Sequence, residues 1–362
     1  MNSMLLLSML ALFASCKSPT HPTAEEKVNG NHVEAALPSK TFINVNDYGI
    51  LGNGTDVSDK LQKLLDESTG KTIFFPLGNY VISKSIYLVD GIELLGEGDV
   101  GSVGGSVIQP VKKSSLQSVF IVRGNTLNDV IFRNIRTLGA KNALMVNIAG
   151  GGHVTKVKWY NCVFQEHEIA INVYGGTTSG MYANMFRDCY FKSCNTGIFS
   201  EGVYNINIVQ GCGFENMRGS FIKIGEKAAS ALGNSFTENR CESVSNPNHI
   251  GLILNKSTYG FYIERNYFEN TFKTILQTNG ARNVSLNNNV FAANIEGLHA
   301  ISVNGGNASV RNNTSLVKLI LDIDRGGYCS EVVANTLFDF SANVVTKDLG
   351  KVNNELNRKF DK

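Results

Sequence analysis

Residues 186–216 read FRDCYFKSCNTGIFSEGVYNINIVQGCGFEN. Within them a short β-like segment twice runs into Cys, one further residue and then Phe, at Cys189-Tyr190-Phe191 and Cys212-Gly213-Phe214. With Asn or Cys as its marker, the pattern recurs at Asn134, Cys162, Asn239, Asn266, Asn289, Asn313 and Asn335, so that successive markers are 28, 27, 23, 27, 27, 23, 24 and 22 residues apart. A period in the twenties is that of a solenoid, whose repeats bury their faces only against their neighbours. Two residues past the markers stand Phe164, Phe191, Phe214, Cys241, Phe268, Phe291 and Leu337, an internal apolar stack that Arg136 and Ser315 interrupt near its ends. Asn suits the marker because it tolerates positive φ at a tight bend and its side chain can hydrogen-bond neighbouring turns. With no helical pattern between the bends, the strands are expected to stack in parallel as a β-helix rather than a βαβ sheet.

Composition narrows the classes. Of 362 residues, 43% are hydrophobic and 18% charged, which is globular and excludes a disordered chain. A net charge of +2 argues against a nucleic-acid partner, which requires clustered Lys and Arg. No apolar run reaches the roughly 20 residues needed to span a bilayer. Met4 to Ala14 is a short apolar core ending in small residues, the form of a secretory signal. Leu12-Phe13-Ala14-Ser15-Cys16 resembles a bacterial lipobox, which implies a lipid anchor at Cys16 and a location at the cell envelope; a plain signal peptide is the alternative. The expected organisation is a signal over 1–15, a lipidated start and tether over 16–40, a β-helix over 41–345, and a polar tail or cap over 346–362.

The stretch from Phe42 to Gly98 adds a second line of reading. A short strand, Phe42 to Gly49, runs into the turn Gly52-Asn53-Gly54-Thr55-Asp56. Leu61, Leu64 and Leu65 then fall at helical spacing, with Thr55, Asp56 or Ser58 available as N-caps. Strands at Thr72 to Ile82 and Gly91 to Gly98 follow, separated by Gly turns. This stretch resembles the first coils of the pectate-lyase-like superfamily of right-handed parallel β-helices, which includes phage tailspikes. It departs by having Gly52-Asn53-Gly54 and Asp56-Val57-Ser58-Asp59 where the family has Gly-Asp-Gly and a double Asp. The resemblance implies an all-β, right-handed parallel β-helix with a short N-terminal capping helix. It also implies a lateral groove that binds saccharide chains, with β-elimination at a uronic acid or glycosidic hydrolysis as the chemistry. None of the local motifs of polygalacturonases or calcium-dependent pectate lyases is present.

Strand alternation nominates the site. With Ile169, Ile171 and Val173 inward, Asn172 and Tyr174 point out; with Ile198 and Ser200 inward, Phe199 and Glu201 do; with Ile222 and Ile224 inward, Lys223 does. Tyr174, Glu201 and Lys223 are therefore expected in one exposed patch, with Arg218 and Glu226 in the flanking turns and His249 before the next strand. For a lyase, Lys223 would be the base, Arg218 the substrate clamp, and Tyr174 or His249 the proton donor. For a hydrolase, Glu201 and Glu226 would be the carboxyl pair. A surface ion pair between Glu201 and Lys223, worth about 0–1 kcal/mol, is the plainer alternative. Tyr174, Phe199 and Tyr204 are expected as exposed aromatics suited to sugar stacking.

Glu215, Glu242 and Glu269 lie three residues past their markers and form a column of like charge, preceded by Lys192. Arg240 and Arg265 could balance it, or a cation could; calcium favours such oxygen ligands. Cys162, Cys189 and Cys212 read as small buried residues in place of Asn, because zinc ligands converge tetrahedrally rather than lie in a line. Two classes stand: a secreted carbohydrate-active enzyme, and a non-catalytic glycan-binding or structural β-helix.

Overall fold

The structure is a computed structural model. It describes residues 41–98, 105–122, 126–146, 153–174, 180–243, 249–269, 274–292, 299–315, 319–323, 327–333, 336–337 and 358–359. The signal, Cys16, the tether and most of the tail lie outside the described residues.

Among these residues the chain forms a parallel β-solenoid. A first sheet of 12 strands runs from Phe42–Asn44 to Gly327–Val333, and a second of 13 from Asn53–Asp56 to Arg358–Lys359. A third sheet of 10 strands runs from Ile86–Tyr87 to Leu319–Ile323. A fourth has four strands, Thr126–Asn128, His153–Thr155, Gly180–Tyr182 and Val203–Asn205. One coil shows the plan: Ile208–Gln210 in the first sheet, Gly213–Met217 in the second, Ile222–Ile224 in the third.

The marker works differently from the sequence expectation. The positive-φ residue is the one before the marker: Asn161, Asp188, Gly211, Glu238, Arg265, Asn288 and Asn312. The marker itself turns inward, where its amide does the bonding. Asn239 Oδ1 accepts the Cys212 N–H at 2.9 Å, and Asn266, Asn289 and Asn313 repeat this toward Asn239, Asn266 and Asn289. Each Nδ2 also donates to a carbonyl of the first sheet, at Val209, Phe236, Ile263 and Leu286. A buried corner thereby satisfies backbone groups that no strand neighbour reaches. Asn134 is itself the left-handed residue (φ 54°) and pairs with Asn161, so Ile135 occupies the marker column. Arg136 accordingly aligns with Val163, and buried Thr137 aligns with Phe164. The interruption of the apolar stack is thus Thr137, not Arg136, and Ser315 is the second.

A second amide ladder, Asn184–Asn207–Asn234, closes the corner between the fourth and first sheets. Stacked rings fill the interior because coils repeat at about 4.8 Å, close to ring-stacking distance. Trp159 and Phe186 lie 4.3 Å apart and 2° from parallel, and Phe191 and Phe214 4.6 Å and 2°. Cys162, Cys189, Cys194, Cys212 and Cys241 are free and buried, and burial drives the Cys189 thiol upward in pKa.

The helix expected near residue 58 spans Ser58–Asp66 and buries Leu61, Leu64 and Leu65. Val57 holds its N-cap position without a side-chain bond. Asp56 instead receives the Ser58 N–H and hydroxyl and the Ser83 N–H and hydroxyl. Burial pushes the Asp56 carboxyl up, but these bonds outweigh it and bring its pKa down to about 2. Buried His167 bonds the Ala140 carbonyl and Thr137, and burial pushes its pKa down to about 4.

Both groups are depressed in the folded state, so both contribute stability that is full above their unfolded pKa and lost as pH falls. His167 should cost on the order of 3 kcal/mol between its ordinary value and about pH 4. The more exposed Asp56 adds a smaller loss below that. Urea melts from pH 7 to 3 should show this decline, and His167→Gln should flatten its upper part; an unchanged slope in that variant would contradict the assignment.

Candidate functional site

The third sheet builds the exposed patch. Ile171, Ile198, Ile222 and Leu252 are in register and buried, and so are Val173, Ser200 and Ile224. Between them Asn172, Phe199, Lys223 and Ile253 form an outward row. Alternation slips one residue earlier: Ala170 and Gly197 are buried beside Ile171 and Ile198, leaving Ile169 only half-buried rather than inward.

Lys223 is exposed, with Nζ 5.7 Å from the Phe199 ring centroid. Tyr174 is 58% exposed. The Tyr174, Glu201 and Gly225 amides each bond the coil before, to Val146, Val173 and Ser200, which puts these three residues in one column. Gly225 has no side chain there, and Glu201 Cγ lies 2.8 Å from where a Cβ would stand. Glu201 therefore lies over Gly225, the residue before exposed Glu226. The structure thus gathers Tyr174, Phe199, Glu201, Lys223 and Glu226 at the C-terminal ends of adjacent strands. Neither Glu201 nor Lys223 belongs to any ion pair within 4 Å found among the described residues.

Arg218 and His249 are not part of this group. The Arg218 backbone N–H donates to the Cys194 carbonyl in the corner before the third-sheet strand, at the end opposite Glu201 and Glu226. Its charge helps hold Glu166 below the usual carboxylate range, after the stronger hydrogen bond from Lys113 at 2.6 Å. His249 is only 5% exposed, neither ring nitrogen finds a hydrogen-bond partner among the described residues, and burial lowers its pKa. Tyr204, expected outside, is 1% exposed: it belongs to the fourth sheet, which the coil pattern did not disclose. Its hydroxyl has no hydrogen-bond partner among the described residues, and burial raises its pKa.

On the second sheet, Glu242 pairs with Glu269 and Lys192 with Glu215. Arg240 lies 3.3 Å from Glu269 and 4.0 Å from Glu242, and Lys192 lies 3.7 Å from Glu215. Arg265 does not join them, because its left-handed backbone turns it to Glu238 and Glu264 on the corner. Among the described residues no group of three or more His, Cys, Asp or Glu is arranged to hold a metal ion.

Sequence reasoning missed a polar column on the third sheet, Asn255, Asn279 and Asn304, joined amide to amide at 3.1 and 3.3 Å. Its signal was a third Asn periodicity, in steps of 24 and 25 residues.

Residues 42–108 match the family model described as rhamnogalacturonase A/epimerase, pectate lyase-like. No curated protein sequence matches the chain. Among solved structures, the A-module of the Azotobacter vinelandii mannuronan C-5 epimerase AlgE6 is similar at 15% identity and TM-score 0.57, covering 88% of this chain and 100% of that one. DFA-IIIase from Arthrobacter chlorophenolicus A6 without its lid is similar at 13% identity and TM-score 0.55, covering 88% and 99%. The Streptococcus pneumoniae surface protein and adhesin PfbA is similar at 14% identity and TM-score 0.53, covering 86% and 100%. With the stacked parallel coils and the match over its first turns, the chain has the pectate-lyase-like, right-handed parallel β-helix fold.

Proposed function

We propose that the protein is a carbohydrate-active enzyme that processes a polysaccharide on the outer face of the third sheet, by β-elimination at a uronic acid. The observation that carries this reading is Lys223: an exposed ammonium beside an aromatic ring, with no carboxylate paired to it among the described residues. In its neutral form Lys223 would take the proton beside the sugar carboxylate. The electron pair left behind forms the ring double bond and expels the glycosidic oxygen, which Tyr174 would protonate. Phe199 offers the sugar an apolar face. Arg218, at the far end of the coil, would hold a neighbouring sugar rather than the reacting one. The signal and Cys16 would place the groove at the cell envelope, where such polymers are met.

The structural neighbours support a saccharide partner without choosing the reaction: one is named an epimerase of mannuronan, and DFA-IIIase has been solved with GF2 and with DFA-III. A second reading, hydrolysis, is favoured by Glu201 and Glu226 following neighbouring strands of adjacent coils, with Glu201 packed over Gly225. The calcium expected at Glu215, Glu242 and Glu269 has no part in this reading, because Lys192 and Arg240 lie against those carboxylates.

Lys223→Ala should lower turnover by roughly 100-fold or more, as loss of a general base does, while Glu201→Gln retains most of it. The reverse ranking would move the assignment to hydrolysis.

A further inference from the structure

Beyond Lys223 the third sheet changes chemistry. The outward row continues through Ile253 to Gln277 and Ser302. The column that began with Tyr174, Glu201 and Gly225 continues as Asn255, Asn279 and Asn304. No charged side chain belongs to either line between Ile253 and Ser302.

These amides are oriented. Asn255 Nδ2 donates to the Ile224 carbonyl at 2.7 Å, Asn279 Nδ2 to Asn255 Oδ1, and Asn304 Nδ2 to Asn279 Oδ1. Gln277 Nε2 donates to Asn279 Oδ1 at 3.0 Å, and the Ser302 hydroxyl to Asn304 Oδ1 at 3.0 Å. The column consumes its own oxygens and pins the two outward residues. Gln277 keeps Oε1 and one N–H, and Ser302 keeps its lone pairs. Both are half-buried.

The turns leave this rim low. Gly280 (φ 84°), Gly305 (72°) and Gly306 (75°) carry the chain straight from the third sheet into first-sheet strands Arg282–Asn287 and Gly306–Arg311. The fourth sheet, which fills this position in earlier coils, ends at Val203–Asn205.

We propose that Gln277 and Ser302, oriented by the Asn255–Asn279–Asn304 column, are subsites for neutral, hydroxyl-bearing sugar residues. The bound glycan then continues from an acidic residue at Lys223 along the axis as uncharged residues over three coils, about 14 Å. A hydroxyl matches an amide as donor and acceptor at once, whereas a carboxylate on this row finds no cation within the row or the Asn column; exposed Lys256 stands in the turn after Asn255, against Gly280. This rests on the third sheet being the glycan face, but not on the reaction performed there.

Titration calorimetry of the full chain, which reads binding and not turnover, tests it with three sets of oligosaccharides: alginate (all uronic acid), dextran (neutral) and dextran oxidised at C6 of its terminal residue, which carries one uronic acid on a neutral chain. The singly acidic oligomer should bind about tenfold tighter than the uronan of equal length. Gln277→Ala with Ser302→Ala should weaken it by about fivefold to tenfold and leave a disaccharide unchanged. Gln277→Lys, which keeps the length and adds a cation to the row itself, should shift preference toward the uronan. Preference of the unaltered protein for the uronan, indifference of binding to all three substitutions, or no binding by any probe would overturn the proposal.

Discussion

Asn266→Ala should destabilise the solenoid by about 4 kcal/mol. One side chain here serves several buried groups. Its Oδ1 accepts the Asn239 N–H at 2.9 Å and Asn239 Nδ2 at 3.0 Å, while its Nδ2 donates to the Phe236 carbonyl and to Asn289 Oδ1. Truncation orphans a backbone N–H and a carbonyl in a buried corner, at roughly 1–3 kcal/mol each. The ladder's bonds also orient one another, so the loss exceeds that of a single pair. Asn266→Asp keeps the acceptor but removes the donors and buries a charge, and should be worse than Ala. Cys212→Ala should cost less, because the thiol's bonds to the Phe186 and Gln210 carbonyls are long, at 3.6 and 3.4 Å. Chemical denaturation of the three variants checks the order, and equal effects of Asn266→Ala and Cys212→Ala would contradict it.

Phe214→Ala is the second large effect, at roughly 3–5 kcal/mol. The ring is fully buried, stacks on Phe191 at 4.6 Å and meets Phe221 and Phe236 at 5.1 and 5.5 Å. Gly197 packs close enough that its Cβ position lies 2.9 Å from the Phe214 ring, so the neighbouring coil already has its smallest residue there. Nothing nearby can fill the void. Phe214→Leu should recover most of the loss by restoring volume. Differential scanning calorimetry reads both, and a Leu variant no better than Ala would mean that ring stacking, not volume, holds the core.

The coils were legible in the sequence because stacking requires one residue of each coil to sit above its counterpart, and Cys162, Cys189, Cys212, Asn239, Asn266, Asn289 and Asn313 do so. The offset at Asn134 was not legible: Asn serves both as left-handed residue and as inward amide, and a single Asn without its partner does not say which. The fourth sheet escaped for a related reason. Its strands are three residues long and carry little alternation, so Tyr204 read as outward when it faces the core.

The candidate site divides along the same line. Phe199, Lys223 and Glu201 follow from alternation within strands, and the structure brings them together. Arg218 and His249 stand in turns whose lengths alternation does not set, and they fall at the other end of the coil. Arg265 lies on a left-handed corner, which sends it to Glu238 rather than to the glutamate column.

The central claim is that the third-sheet face around Lys223 cleaves a uronic-acid-containing polysaccharide. Incubation of the protein with acidic and neutral polysaccharides, following ultraviolet absorbance of unsaturated uronate and new reducing ends together, tests it most directly. The account predicts that both signals rise on an acidic polymer and that Lys223→Ala abolishes both. Silence on every polymer, with glycan binding intact, would contradict it and make the face a binding surface instead.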